Sequence, residues 1–510
     1  MTETILGAPA GGAAAPNPAA GTPPGIAPSP AASSSPGTAP AIVLGTLPGI
    51  APDIAAGRAA RIALGNTPGI PPGIAPGAAA NHLSSRLSIR HGRLIDPANG
   101  IDALLDLHIA DGKVLAVGGA PEGFEPDQVL DATGQVVCPG LIDLCARLRE
   151  PGQEHKGTIA SETAAAAAGG ITSLCCPPDT TPIIDTPAVA QLITRTAAMA
   201  GKARVVPAGA LTHGLAGEQL SEMAALRQAG CAVMCQAERP IINTQVLRRA
   251  MEYAATFGLT VIMRPENPFL RDNGCAHEGR ISARLGLPGI PEAAETVALA
   301  RDLEVAKQTG ARVHFRALSC ARSLEKLAAA QARGIAVSAD VSAHQLILTE
   351  DDLEGFNSQC HLNPPLRTAA DRDALREAVR TGLVSAVCSD HQPHDPDAKL
   401  APFPSTAPGM AALETLLPLL LRLVAAGVLD LPTAIARLTS GPAAILGLPL
   451  GNLAPGQAAD LCVFDPEAKW RVGPKTWLSQ GCNTPFWGER FKGRVTWTLL
   501  GGQIVHERRR

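Results

Sequence analysis

The stretch Pro139-Gly-Leu-Ile-Asp-Leu-Cys-Ala-Arg-Leu-Arg-Glu-Pro-Gly152 decides the fold. Its apolar run, Gly140 to Leu144, reads as a buried strand. An Ala-rich helix is predicted over Ile159 to Ala168, then a second strand over Thr172 to Cys176. The alternation continues with strands at Arg204 to Ala208, Ala232 to Cys235, Thr260 to Arg264, Arg312 to Ala317, Ala336 to Ser342 and Ser385 to Cys388. Helices are predicted at Ser221 to Ala229, Val246 to Ala255, Pro291 to Thr309, Ser323 to Ala332 and Ala370 to Thr381. About eight βα units favour an α/β fold of the (β/α)8 TIM-barrel type over an open doubly wound sheet. Chemistry then belongs at the carboxyl ends of the strands.

Outward from the barrel, both flanks change character. Leu87 to Ile95, Ala103 to Ile109 and Lys113 to Val117 are short alternating runs that read as strands. Asp460 to Phe464, Gly493 to Leu499 and Gln503 to Val505 repeat that character at the far end. One accessory β-domain, a small β-sandwich over 83–138 and 455–510, is expected around a barrel over 139–454. Residues 1–82 are Ala, Pro and Gly with almost no charge, and Pro-Gly-Ile recurs from Pro24, Pro48, Pro68 and Pro72. Pro lacks an amide donor and Gly is costly to order, so this arm is expected to be disordered, either as a tether or without a role.

Charge and composition exclude other classes. Lys plus Arg is 43 against 46 Asp plus Glu, and no charge block is longer than Arg508-Arg509-Arg510, so nucleic-acid or membrane-surface binding has no electrostatic support. No run of 18 apolar residues and no export signal is read, and the 12 cysteines are scattered, so reduced thiols in a cytoplasmic protein are expected.

The opening stretch, continued by Gln153-Glu-His-Lys156, resembles the first barrel strand of the dihydroorotases, amidohydrolases of pyrimidine biosynthesis. The likeness extends through Glu278-Gly-Arg-Ile-Ser-Ala-Arg-Leu-Gly-Leu-Pro-Gly-Ile290, Leu346-Ile-Leu-Thr-Glu-Asp-Asp-Leu353, Asn363-Pro-Pro-Leu-Arg367, Ser389-Asp-His-Gln-Pro-His394 and Asn483-Thr-Pro-Phe486. It implies a zinc-dependent barrel in which metal-bound hydroxide attacks a ring amide and an Asp on the last strand shuttles the proton. On this sequence the family's ligand positions fall on Cys145, Arg147, Gln236, Arg264 and Ala317, and Asp390 alone is retained. A guanidinium cannot ligate zinc, so no cofactor is expected. Arg147 and Arg264 are expected beside Asp390, as an ion-pair cluster in place of the metal. The family's substrate positions fall on Arg149, Asn363 and His391, with Asp179 in place of an Asn.

The resemblance extends to metal-less dihydroorotase-like chains that bind aspartate carbamoyltransferase, six of each in a dodecamer. It implies a non-catalytic structural subunit of that transferase. Two other roles stay open: a working cyclic-amide hydrolase of dihydroorotase, hydantoinase or allantoinase type with an atypical metal or thiol centre, and a sensor of an orotate-like anion.

Overall fold

The computed structural model describes residues 86–508. The arm expected over 1–82 lies outside the described residues, as do Arg509 and Arg510. Eight parallel strands form the central sheet: Leu141–Asp143, Ile171–Cys176, Arg204–Ala210, Val233–Cys235, Thr260–Met263, Arg312–Phe315, Val337–Ser342 and Ala386–Cys388. They neighbour one another in chain order. Beyond the last strand, the His391 amide donates to the Cys145 carbonyl (3.1 Å) and the Arg147 amide to the His391 carbonyl (3.0 Å). The sheet is thereby nearly closed, as a TIM barrel requires.

Small side chains fill the interior. Ile142, Leu144, Cys175, Ala208, Val233, Cys235, Ile262, Ala386 and Cys388 form one apolar cluster with Ala443, Ile445 and Leu446 of the helix Ser440–Leu446. That helix abuts the start of the eighth strand. A Cβ at Gly441 would lie 2.0 Å from the Ser385 carbonyl oxygen, so only glycine permits the approach. The cysteines here act as compact apolar packing.

Two further sheets form the sandwich. A six-stranded sheet runs in the order Gln503–Glu507, Arg490–Leu500, Leu461–Arg471, Val136–Pro139, Arg93–Asp96, Ile101–Leu104, uniting strands from both flanks of the barrel. A four-stranded sheet runs Lys113–Val117, Leu107–Ala110, Leu87–Arg90, Gln128–Asp131. Ile89, Leu107 and Ile109 from the second pack with Leu94, Val137, Leu461 and Leu499 from the first.

Here the sequence-based expectation needs correction. Leu87 to Ile95 is not one strand but two in different sheets, broken at His91, which adopts φ of 62°. Ala103 to Ile109 likewise divides between the sheets at Leu105 and Asp106. Alternation of side chains carries no mark of which sheet a strand joins. The helices Pro187–Ala200, Leu416–Ala425 and Leu431–Leu438 were not foreseen. Leu416–Ala425 holds six leucines in ten residues and a proline in its first turn, and every residue but Arg422, Val424 and Ala425 is buried, so it reads as an apolar run rather than as a surface helix.

Candidate functional site

Four buried charged groups meet at the carboxyl ends of the barrel strands. Arg147 follows the first strand, Arg264 the fifth, Arg316 the sixth and Asp390 the eighth. Glu238 follows the fourth strand and Asp179 the second. Arg149, Ala237, Ala317 and Asp390 take left-handed backbone, with φ of 64°, 53°, 52° and 47°. Such strained positions in non-glycine residues gather where loops must aim side chains at a site.

The ion pairs are mutually shared. The Arg316 guanidinium donates to Asp390 Oδ1 at 2.7 Å, and Arg147 Nη1 approaches the same oxygen at 3.8 Å. Arg147 Nε donates to Asp179 at 2.7 Å. Glu238 Oε1 is the hub: Arg147, Arg264 and Arg316 approach it at 3.1, 3.4 and 3.9 Å. Arg264 also donates to Glu266 at 3.0 Å and to the Asn363 side-chain oxygen. Arg147, Arg264, Arg316 and Asp390 are each 7% exposed or less.

The electrostatics follow from that packing. Burial alone would raise the Glu238 carboxyl, but Arg147, Arg264 and Arg316 hold it down at about 2. Burial disfavours the charge on Arg316, yet the carboxylates of Asp390 and Glu238 favour it and its pKa is raised. Burial, with Arg147 nearby, lowers Arg149 to about 10, which leaves it charged at neutral pH. Cys145 Sγ lies 3.5 Å from Asp390 Oδ1, and burial pushes this thiol up. It is therefore held as the thiol rather than the reactive thiolate.

The sequence-derived positions separate into groups. Cys145, Arg147, Asp179, Arg264, Asn363 and Asp390 come together in the cluster. Arg264, expected beside Asp390, instead engages Glu238 and Glu266. Gln236 turns to Thr212, its Nε2 donating to the hydroxyl at 2.9 Å. Ala317 contributes only its amide, which donates to Asp340 at 2.6 Å. Arg149 donates to the Pro393 carbonyl at 2.9 Å and to Gln153. His391 is fully buried; its Nε2 lies 2.9 Å from Glu162 and its Nδ1 accepts the Ala412 amide.

Sequence reasoning missed Arg316 and Glu238. Glu238 was legible from charge balance, because two arginines around one Asp demand a further buried carboxylate at a neighbouring strand end, whereas Arg316 left no such signal.

Zinc, the metal that the fold family uses, would have to be held by this donor set. Two guanidinium groups, those of Arg147 and Arg316, crowd the one retained carboxylate, and a guanidinium repels a cation and offers no lone pair. Among the described residues no group of three His, Cys, Asp or Glu side chains is disposed to hold a metal. These residues do not fit the ion. Space is also short: the opening lined by Arg147, Arg149 and Asp179 and that lined by Arg264, Glu266 and Arg367 hold about 10 Å³ each. Each has room for about one water, whereas small-molecule sites span about 300–1,000 Å³.

Comparison with known proteins adds the relationships. A family described as dihydro-orotase-like matches residues 134–323, and one described as the amidohydrolase family matches 292–506. A "Dihydroorotase-like protein" of Pseudomonas aeruginosa is 55% identical over 82% of this chain and 99% of its own length. A "Dihydroorotase" of Syntrophotalea carbinolica is 43% identical over 82% of this chain and 99% of its own. Among solved structures, an L-hydantoinase from Arthrobacter aurescens superposes with a TM-score of 0.75 at 24% identity, covering 83% of this chain and 96% of its own. That likeness concerns the fold.

Proposed function

The chain belongs to the dihydroorotase-like amidohydrolases, and from that premise we propose that it is a non-catalytic subunit whose barrel supports the assembly and activity of aspartate carbamoyltransferase. One observation carries the reading: at the strand ends where the family's hydrolases hold zinc and substrate, Arg147, Arg264 and Arg316 close on Asp390 and Glu238. A hydrolase there needs a polarising cation, an activated water and room for a ring. The guanidinium groups supply charge but hold no hydroxide, and the space beside them is that of single waters.

The barrel then serves as a folded body whose surfaces are used. Retention of the fold, with its mouth tied by ion pairs, suits a subunit that must stay rigid under a partner. Six copies with six transferase chains is the stoichiometry proposed. The test mixes the purified full chain with the transferase catalytic chain from the same organism, then reads particle mass by sedimentation and transferase turnover. A joint particle with raised turnover is expected. Separate sedimentation, together with hydrolysis of dihydroorotate that Asp390→Ala abolishes, would overturn the reading in favour of an active cyclic-amide hydrolase.

A further inference from the structure

A cavity of about 400 Å³ opens on the flank of the barrel, away from the strand ends. It lies between the end of the helix Ile159–Ala168 and the hairpin of Leu461–Arg471 with Arg490–Leu500. Glu414, Leu417, Trp470, Lys475, Arg494 and Arg508 line it. The volume is that of a site for a small molecule.

Among the described residues its cations lack carboxylate partners. Nearby, Lys492 of the same hairpin meets Glu467 at 2.8 Å, and Arg422 of the helix Leu416–Ala425 meets Glu489 at 2.8 Å. Lys475, Arg494 and Arg508 have no carboxylate within ion-pair distance among the described residues. Of the two acids on the wall, Glu507 accepts from the Trp497 indole at 3.3 Å. Burial raises Glu414 to about 8 even though it accepts the Leu478 and Ser479 amides, so it is mostly neutral at pH 7. Burial and the surplus of Arg494, Lys202 and Arg508 push His506 down to about 4. The wall is therefore net positive, and the sequence continues into Arg509 and Arg510.

It is also aromatic. Trp470 is fixed by its Nε1, which donates to the Gly493 carbonyl at 2.9 Å, and is stacked on Phe491 at 5.6 Å. The Arg494 guanidinium lies 5.5 Å from the Trp470 ring centroid. Two guanidinium groups and an ammonium favour a dianion, and guanidinium forks fit phosphate oxygens in pairs. Trp470 and Leu417 supply an apolar wall for an organic group.

We propose that this cavity binds a small phosphomonoester, its phosphate on Arg494, Arg508 and Lys475 and its planar or apolar part against Trp470. The test uses the full chain at low salt, with phenyl phosphate and inorganic phosphate as probes, read by calorimetry and tryptophan fluorescence. Saturable binding of phenyl phosphate at one per chain is expected, tighter than that of inorganic phosphate. Arg494→Gln is expected to weaken it about tenfold and Arg508→Gln about threefold. Trp470→Leu should erase the preference for the phenyl group. If Arg494→Gln perturbs the circular dichroism spectrum, Arg508→Gln and Lys475→Gln carry the test. Absence of saturable binding overturns the proposal. So does binding that both arginine variants leave unchanged, which would move the anion to another site such as the barrel mouth.

Discussion

The two arginine clusters of this molecule use the same side chain to opposite ends. At the barrel mouth, Arg147, Arg264 and Arg316 are met by Asp179, Glu238, Glu266 and Asp390, and the openings beside them hold about 10 Å³. On the flank, Arg494 and Arg508 meet no carboxylate among the described residues and border about 400 Å³. Pairing turns buried charge into structure. Unpaired charge beside open volume is a site waiting for a counter-ion. The distinction matters here because the mouth is where the fold places chemistry, and there each arginine has a carboxylate at ion-pair distance, although Arg147 Nη1 and Nη2, Arg264 Nη1, and Arg316 Nε and Nη1 make no hydrogen bond.

The comparison can be broken by removing members of each cluster. The largest effect is expected at Arg316, which is 2% exposed and is the nearest partner of Asp390. Arg316→Met leaves that carboxylate buried with only Arg147 nearby, and should cost about 3–5 kcal/mol in urea unfolding. A loss below about 1 kcal/mol would mean that the mouth is not held by ion pairs.

Glu238→Gln comes next, at about 3 kcal/mol, and it carries a pH signature. Its folded value of about 2 lies below the ordinary carboxyl value near about 4.3. Its contribution is therefore fully present above about pH 4.3 and is lost as pH falls through about 2. The stability gap between wild type and Glu238→Gln should close across that window. A gap that stays constant from neutral pH to about 2 would remove Glu238 as the hub.

On the flank, Arg494→Gln should change stability by less than about 1 kcal/mol, since it loses a partly exposed stack on Trp470 but also a repulsion with Arg508. A cost like that of Arg316→Met would make it structural and erase the contrast. The smallest effect is expected for Arg280→Ala. Its pair with Asp351 is exposed, 67% and 58%, and should contribute no more than about 0.5 kcal/mol.

The barrel and most of the mouth were legible in the sequence. Eight apolar runs between Ala-rich helices give the strand order, and Arg147 and Arg264 stand out in the sequence as charged residues at strand ends. Arg316 and Glu238 were not legible by position, because each stands one residue from a left-handed alanine, Ala317 or Ala237. That backbone reversal decides which of two adjacent side chains enters the barrel, and sequence does not display it. The pairing of Arg264 with Glu238 was missed for the same reason. The flank cavity was out of reach as well, since it joins residues from Glu414 to Arg508 that only the folded hairpin assembles.

The central claim is that an ion-pair cluster stands where the family's hydrolases hold metal. Elemental mass spectrometry on protein expressed with excess zinc and then desalted tests it most directly. The account predicts zinc near zero per chain, unchanged by Asp390→Ala. One or two zinc ions retained per chain, and lost in Asp390→Ala, would contradict it.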